Sequence, residues 1–359
     1  MVNLKTLKSI MNNKTFVWAC DLEKFRGEGV LAWSFISKLI YFTKKKNNFY
    51  EIESFKKLFF FKKNKYISKK NIITSKLNFT LKYILPFYGV IRCWYKYFKG
   101  YNVCYVNYLP LWNFLIFILL PPKTIYGPIT GGYYFDRSKN FDYYIRKFFF
   151  PIFFKLSLTF IHSKRKLLFS TDLLTKFIDK KKFQKIFFNF VLVNYIPSKR
   201  NNMKKIYDLV VYYRVHKNKS NLKIIKLIKE LILKKCKIIV IGDKLKIIGS
   251  SNRTNISKTQ LFKIIKKSRF ALNPAENSLS LFMLDCISNG AKTFVNKKSM
   301  SKILNKNKLV IPVDFDDHKK LIKNVSTNIS KNKSKPLKSN KLIYYKKKIN
   351  LQLDDYFSQ

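Results

Sequence analysis

Residues 207–242 read YDLVVYYRVHKNKSNLKIIKLIKELILKKCKIIVIG, and they contain the two kinds of segment from which α/β domains are built. The apolar run at residues 207–213 is typical of a buried strand, and residues 222–235 carry apolar side chains at helical spacing. A second apolar run, residues 237–241, ends at Gly242. Strand, helix and strand in this order predict a βαβ unit with two parallel strands.

The same alternation continues along the second half of the chain. Apolar patterns predict helices at residues 255–267 and 279–289 and strands at residues 270–273 and 292–296. Parallel sheets of this kind bind ligands at the carboxyl ends of their strands. The second half therefore predicts an α/β domain whose site lies at that edge of the sheet.

The first half shows the same pattern less regularly. A strand at residues 15–20 (TFVWAC) and a helix from about residue 30 to residue 42 predict one βα unit. The Lys-rich residues 44–82 predict a solvated helix or loop region. Further strands are expected at residues 103–106, 124–126, 166–170 and 190–193.

A composition shift divides the chain. Residues 195–205 (YIPSKRNNMKK) are polar and basic and contain a proline, which is typical of an interdomain linker. The length of 359 residues suits two domains. We expect domains at residues 1–198 and 199–340, followed by a basic tail or closing helix at residues 341–359.

The charge is extreme, because the formal net charge is +54. Only nine of the 73 basic residues are Arg, the side chain best suited to bidentate phosphate and guanine contacts, which argues against nucleic-acid recognition. Two interpretations stay open: attraction to anionic surfaces, or the codon drift of an AT-rich genome. Hydrophobic residues make up 47% of the chain, which excludes global disorder.

Neither a metal centre nor a membrane span is predicted. No CxxC or HExxH spacing occurs, so we expect no metal, and separated cysteines fit a reducing compartment. No signal peptide is recognised, and the apolar residues 109–122 are too short and too Pro-rich to span a bilayer. A cytoplasmic location follows as an expectation, with peripheral contact at the inner face of the membrane left open.

Residues 273–295 read NPAENSLSLFMLDCISNGAKTFV. They resemble the donor-binding signature P-S-x-x-E-G-F-G-L-x-x-x-E-A-x-x-x-G-x-P-V of retaining GT-B glycosyltransferases of the family 4 (group 1) type. The resemblance places Asp285 on the second acid and implies that it binds ribose. Asn277 stands where the first acid belongs, so the neighbouring Glu276 is the candidate for the sugar. The G-F-G-L step, where backbone N–H groups meet a diphosphate, falls on Ser278, Leu279, Ser280 and Leu281.

A second segment strengthens the resemblance. The loop after residues 207–213 places Arg214 and Lys219 at the spacing of the family's G-R-x-x-x-x-K-G motif, although Tyr213 and Ser220 replace its glycines. The resemblance implies that both cations neutralise the donor diphosphate in place of a metal ion. Gly242, in the VIGD stretch that follows, is assigned to the donor site as well. The alternatives are a solvated basic loop here and helix-capping acids in residues 273–295.

Loops of the first half resemble the glycine-rich cleft loops of the same enzymes. The segments GEG (residues 27–29) and GPITGG (residues 127–132) each admit a simple tight turn as the alternative. A structural histidine is the alternative for the histidine of FIHSKR. The candidate acceptor or cleft residues are Gly27, Glu28, Gly29, Gly127, Thr130, Gly131, Gly132 and His162.

The resemblance implies a GT-B fold with two Rossmann-like α/β domains around a cleft. It implies retaining, metal-independent transfer from a nucleotide-sugar co-substrate, with no cofactor, to a glycan or lipid-linked acceptor in cell-surface polysaccharide or lipopolysaccharide synthesis. The aromatic, basic residues 141–160 are interpreted either as a contact for a lipid-linked acceptor or as helical core. Two other functions stay open: a GT-B-like chain without catalysis, and a basic nucleic-acid-binding protein, although no nucleic-acid partner is expected.

Overall fold

The computed structural model consists of two α/β domains. The residues that it describes are 14–23, 27–43, 49–62, 65–71, 81–107, 109–131, 141–161, 166–179, 181, 183, 185–192, 204–215, 221–245, 247–274, 277–305, 307–331, 352 and 355–357. The predicted boundary between residues 198 and 199 lies outside them, as does most of the segment 341–359.

The first domain is built on a six-stranded sheet in the order β4-β3-β2-β1-β5-β6. Strand β1 pairs in parallel with β2 and β5, and β5 pairs in parallel with β6, whereas β3 joins β2 and β4 antiparallel. The elements are β1 (Lys14–Trp18), α1 (Gly27–Thr43), β2 (Phe49–Glu53), β3 (Lys57–Lys62), β4 (Lys65–Asn71), α2 (Leu81–Phe98), β5 (Asn102–Tyr105), α3 (Phe114–Leu119) and β6 (Ile125–Tyr126).

The first domain continues into a second pair of parallel strands. Single bridges from Pro110 to Thr130 and from Ile129 to Phe169 carry the sheet from β6 to β7. The elements are α4 (Phe141–Tyr144), α5 (Phe150–Phe160), β7 (Lys166–Phe169) and β8 (Lys185–Phe188). A π-helical turn (Ile145–Phe149) joins α4 to α5, and 3₁₀ turns (Asp172–Phe177 and Asn189–Leu192) flank β8.

The second domain is a fully parallel sheet in the order β11-β10-β9-β12-β13-β14. Successive residues of its central strand are buried on opposite faces: Val211 packs with the core under α6 and α9, and Val210 packs under α7 and α8. The elements are β9 (Tyr207–Tyr213), α6 (Asn221–Leu233), β10 (Ile238–Gly242), β11 (Ser251–Thr254), α7 (Lys258–Lys267), β12 (Ser268–Asn273), α8 (Leu281–Ser288), β13 (Lys292–Asn296), β14 (Val310–Val313) and α9 (His318–Lys331).

The expectation of a solvated helix or loop at residues 44–82 is wrong, because three strands and the start of α2 lie there. Strand β2 was not predicted because acidic side chains interrupt its apolar pattern. Glu51 and Glu53 are buried, and each is neutralised by a base on α2: Lys96 donates to Glu51 at 2.6 Å, and Arg92 makes two bonds of 2.8 and 2.9 Å to Glu53. A strand expected at residues 190–193 is also wrong, since that stretch begins within a 3₁₀ turn and β8 precedes it.

Residues 355–357 return to the first domain. Tyr356 and Phe357 are buried in the core between α1 and the sheet, and the Tyr356 hydroxyl donates to the Tyr126 carbonyl at 2.5 Å. Asp355 forms ion pairs with Lys166 at 2.9 Å and with Lys185 at 2.6 Å. Of the helices in the described part of the chain, none combines the length and apolar composition that a bilayer crossing requires.

Candidate functional site

The carboxyl ends of the two sheets meet at the junction of the domains. The Ser170 carbonyl, directly after β7, accepts a 2.8 Å hydrogen bond from the Asn277 amide, which follows β12. Asp172 Oδ2 accepts from the Ser301 hydroxyl at 2.7 Å and from the Lys302 backbone at 2.8 Å. Since ligands of parallel sheets bind where the strands end, this junction is where a ligand would contact both domains.

Arg214 reaches from the second domain to the first. It follows β9 directly, and its Nη1 lies 3.3 Å from the position that a Cβ on Gly27 would occupy at the start of α1. The loop is held from the next strand, because Asp243 Oδ2 accepts a 2.8 Å hydrogen bond from the Val215 backbone. The Arg214 guanidinium therefore faces the N-terminus of α1, where Glu28 lies.

Glu28 lies at this junction, where the residue is partly buried and its carboxyl oxygen Oε2 is buried. Its Oε2 has no hydrogen-bond partner among the described residues. Burial raises the pKa of Glu28, the charge of Asp21 raises it further, and Arg214 opposes both effects. Asp21 follows β1 and is held by Asn107, whose amide donates to the Asp21 carbonyl at 2.8 Å. A carboxyl group whose pKa is raised by burial beside a cation is a candidate for proton exchange with a ligand.

Asp285 is a second buried carboxyl group, within α8. Its Oδ1 lies 3.6 Å from Lys258 Nζ at the start of α7 and has no hydrogen-bond partner within the described ranges. Burial raises the pKa of Asp285 to about 6, and Lys258 opposes that rise. A buried oxygen that lacks a donor is costly to a fold, so a ligand hydroxyl that donated to Asp285 would recover free energy.

The loop that precedes α8 offers backbone rather than side chains. The Ser278 hydroxyl accepts from the Ser301 backbone at 2.8 Å, and Leu279 is fully buried in the core. Ser280 caps α8, and Leu281 packs partly against the core of the first domain. These side chains contact other parts of the protein. An anion bound at this loop would therefore contact backbone N–H groups at the N-terminus of α8.

The glycine loops sit where strands and helices approach closely. A Cβ on Gly242, whose φ is +112°, would lie 2.2 Å from the Tyr213 carbonyl oxygen. A Cβ on Gly29 would lie 2.1 Å from the Glu23 carbonyl oxygen. Glycine at these two positions keeps β10 close to β9 and allows α1 to begin beside Arg214.

The GPITGG segment forms part of the sheet. The Thr130 backbone donates to the Leu109 carbonyl at 2.9 Å, and a Cβ on Gly131 would meet the Leu174 side chain at 2.8 Å. A Cβ on Gly127 would lie 2.0 Å from the carbonyl oxygen of Val106, the residue directly after β5. The described part of this segment therefore links β5 to β7. Glu276, Lys219, Gly132 and His162 lie outside the described residues.

Three residues at the junction were not singled out from the sequence. Asp243 follows β10 directly, and Asp21 lies three residues after the end of β1. A polar side chain near the carboxyl end of a strand is the signal that would have indicated both. Lys258 had no such signal, because it is one of many lysines and its proximity to Asp285 depends on the packing of α7 beside α8.

By sequence, no family model and no curated protein matches this chain. By structure, it is similar to the UDP-GlcNAc 2-epimerase of Methanocaldococcus jannaschii, solved with UDP-GlcNAc and UDP. The TM-score is 0.52 and the identity 13%, over 91% of this chain and 96% of that chain. A DNA-modifying β-glucosyltransferase aligns over 96% of this chain and 98% of its own, with a TM-score of 0.45 and 11% identity.

The arrangement of the elements agrees with the first of these similarities. Both domains carry an α/β sheet whose central strands are parallel, and the loops after β1 and β7 contact those after β9 and β12. Such an arrangement was expected from the motifs of the second half, and it is confirmed. The chain has a GT-B fold, in which two Rossmann-like domains face each other through the carboxyl ends of their strands.

Proposed function

We propose that this chain is a glycosyltransferase that uses a nucleotide-sugar donor. The observation that carries the proposal is the position of Arg214, a fixed cation at the carboxyl end of β9 that lies against the start of α1 in the other domain. A cation between two domains of this fold suits a ligand that carries negative charge at its centre and different groups at its two ends. A nucleoside diphosphate sugar has that form.

Arg214 stabilises the leaving group in this proposal. When the glycosidic bond breaks, negative charge develops on the diphosphate, and a guanidinium that is already oriented stabilises that charge without a metal ion. Lys219 would add a second cation at the same phosphates. The N-terminus of α8, which follows the loop at Ser278, favours negative charge at the same place.

Asp285 binds the ribose of the donor in this proposal. Lys258 Nζ lies 3.6 Å from its buried Oδ1, too far for a good hydrogen bond, and a ribose hydroxyl would supply a closer donor. With a pKa of about 6, Asp285 is largely ionised at neutral pH and accepts strongly. Gly242 keeps the loop after β10 close to the same ligand, and Glu276 is the proposed contact to the transferred sugar.

The acceptor contacts the first domain, with Glu28 facing its hydroxyl group. We propose a retaining reaction, since residues 273–295 resemble retaining enzymes. The buried carboxyl of Glu28 favours one alternative: it could take the proton of the attacking hydroxyl, and the configuration would then invert. The anomeric coupling constant of the product, measured by NMR, separates the two outcomes.

The acceptor that we propose is a glycan or lipid-linked sugar of cell-surface polysaccharide or lipopolysaccharide synthesis, at the cytoplasmic face of a membrane. Support comes from the first domain, where aromatic side chains of α4 and α5 are exposed beside basic residues. A nucleic-acid binder would instead be expected to present arginine-rich stripes.

The test is a thermal-shift screen of the purified protein with UDP, GDP, ADP and CMP, with a polynucleotide alongside. We expect one nucleotide to raise the unfolding temperature, because a ligand that binds only the folded state stabilises it by mass action. The shift should disappear in Arg214→Ala and persist in Lys237→Ala. Lys237 is exposed at the opposite, amino end of β10 and controls for the loss of one positive charge.

Two outcomes would contradict the proposal. Stabilisation by the polynucleotide alone, falling steeply with salt, would indicate a nucleic-acid-binding protein. No response to any nucleotide, with the protein folded, would indicate a GT-B-like chain without a donor site.

A further inference from the structure

Helix α2 exposes apolar side chains on the face that points away from the sheet. Its inner face is buried in the usual way, with Val90 and Cys93 in the core. On its outer face, Phe98 is 76% exposed and Ile91 is 65% exposed. The outer residues recur every three or four positions over the whole helix: Ile84, Tyr88, Ile91, Tyr95 and Phe98.

The segment from α4 to α5 repeats this feature. Its exposed apolar side chains also recur at helical spacing and are mostly aromatic, and Phe141 is 79% exposed. Between this segment and α2 lies α3, on which Leu115 and Leu119 are exposed. The stripe on α4 and α5 consists of Phe141, Tyr144, Phe148, Ile152, Leu156 and Phe160.

These helices form one surface. The Trp94 indole on α2 donates to the Leu119 carbonyl at the end of α3, at 2.6 Å. Phe114 on α3 stacks on Phe153 of α5 with ring centroids 5.8 Å apart, and Trp112 stacks on Phe150 at 5.6 Å. We call the outer sides of α2, α3, α4 and α5 the aromatic face.

The charges around the aromatic face are mostly positive. The sequence contains no Asp or Glu from residue 54 to residue 135, a range that includes all of α2 and α3. Across residues 141–160, Asp142 is the single acid against three bases. Lys99, Lys147 and Lys155 are exposed at this surface. A second copy of the chain would bring like charges together, whereas an anionic surface would be attracted.

We propose that the aromatic face docks on an anionic lipid bilayer. Aromatic and aliphatic side chains would lie at the level of the headgroups and upper acyl chains, and the lysines would contact lipid phosphates. Tyr and Trp favour this depth, because one end of each side chain is apolar and the other forms hydrogen bonds. The inference does not depend on the proposed glycosyltransferase activity.

The test is co-sedimentation of the full chain with vesicles of phosphatidylcholine alone or mixed with anionic phosphatidylglycerol, which attracts basic surfaces. We expect binding to the anionic vesicles that weakens with salt, together with a blue shift of tryptophan fluorescence as Trp112 leaves water. The variant Ile91→Ser/Phe98→Ser/Phe148→Ser should bind roughly tenfold or more weakly, since it removes three membrane-facing apolar groups.

The matched control is Leu233→Ser/Ile248→Ser in the second domain, where the two side chains are 78% and 99% exposed. This control, like Arg214→Ala, should bind vesicles as the parent chain does. The proposal is overturned if the parent chain ignores anionic vesicles, or if the aromatic-face variant, shown by circular dichroism to be folded, binds them equally well. Concentration-dependent dimerisation that the variant abolishes, without vesicle binding, would overturn it in favour of self-association.

Discussion

The two domains share one architecture but present different outer faces. In the second domain, most exposed positions of α6 and α9 carry polar or charged residues such as Lys226, Lys229 and Lys320. In the first domain, the equivalent outward positions of α2 carry Ile91 and Phe98. Packing against a parallel sheet requires only the inner face of a helix to be apolar, so the outer face is free to vary with the partner.

The domains also differ at the edges that meet. The first supplies carboxyl groups, Asp21 and Glu28, and the second supplies the Arg214 cation and the buried Asp285. In the proposed reaction this division matches the ligand, because the donor phosphates need positive charge and the acceptor hydroxyl needs a hydrogen-bond acceptor. The following variants test that division, beginning with the largest expected effect.

Arg214→Ala should abolish most of the turnover. Removing one preorganised group that stabilises transition-state charge typically costs about 10²–10³ in kcat. Release of nucleoside diphosphate, followed at saturating donor, measures the effect, and Lys237→Ala should retain parental kcat. If Arg214→Ala and Lys237→Ala had the same kcat, the positive charge of Arg214 at the domain junction would have no specific role in catalysis.

Asp285→Asn should weaken donor binding while it stabilises the fold. Burial raises the pKa of Asp285 from 3.8 to about 6, so the folded state holds the proton more tightly than the unfolded state. Stability is therefore lost as pH rises through this range, and removing the charge should restore up to about 3 kcal/mol at pH 7.5. Urea unfolding at pH 7.5 and pH 4 measures this; a gain equal at both pH values would contradict it.

If Glu28 takes the proton of the acceptor hydroxyl, as in the inverting alternative, Glu28→Gln should remove the acidic limb of the pH–rate profile. The pKa of Glu28 is raised by burial, and its ionised form is the one that accepts from the acceptor hydroxyl. Activity of the parent chain should therefore rise with pH through that pKa, whereas Gln cannot titrate. We expect the rate at pH 7.5 to fall about tenfold or more. Below pH 7.5, the rate of the variant should depend less steeply on pH than that of the parent chain. An unchanged profile would place the acceptor elsewhere.

Tyr356→Phe should have the smallest effect, on the first domain alone. It removes the hydroxyl that donates to the Tyr126 carbonyl and leaves the buried ring in place. One lost hydrogen bond costs about 1 kcal/mol, with some increase because the carbonyl is left buried. Urea unfolding should show this loss, with nucleotide affinity unchanged. Altered nucleotide affinity would mean that this segment influences the second domain.

The second domain could be predicted from the sequence almost element by element. Its strands are continuous apolar runs, and its helices show a 3.6-residue period, so β9 and β13 occur at the predicted residues. Two short strands, β11 and β14, and the helix α9 were missed. Strand β11 reads SNRT and is mostly exposed, so it has no apolar signal.

The first domain was harder to predict because its strands depend on contacts between residues that are far apart in the sequence. Strand β2 contains Glu51 and Glu53, whose burial depends on Lys96 and Arg92, more than 35 residues away on α2. The junction has the same property. Sequence motifs indicated Arg214 and Asp285, but the approach of Arg214 to α1 required the relative placement of the domains. Local pattern cannot supply such distances.

The central claim is that a nucleoside diphosphate binds at the carboxyl end of the second sheet, against Arg214. Hydrogen–deuterium exchange with and without the nucleotide that stabilises the chain most tests it directly. We predict slower exchange in three places: residues 214–215, residues 242–243, and residues 277–285 before and within α8. Protection confined to α2, α4 and α5, or the same protection in Arg214→Ala as in the parent chain, would contradict the account.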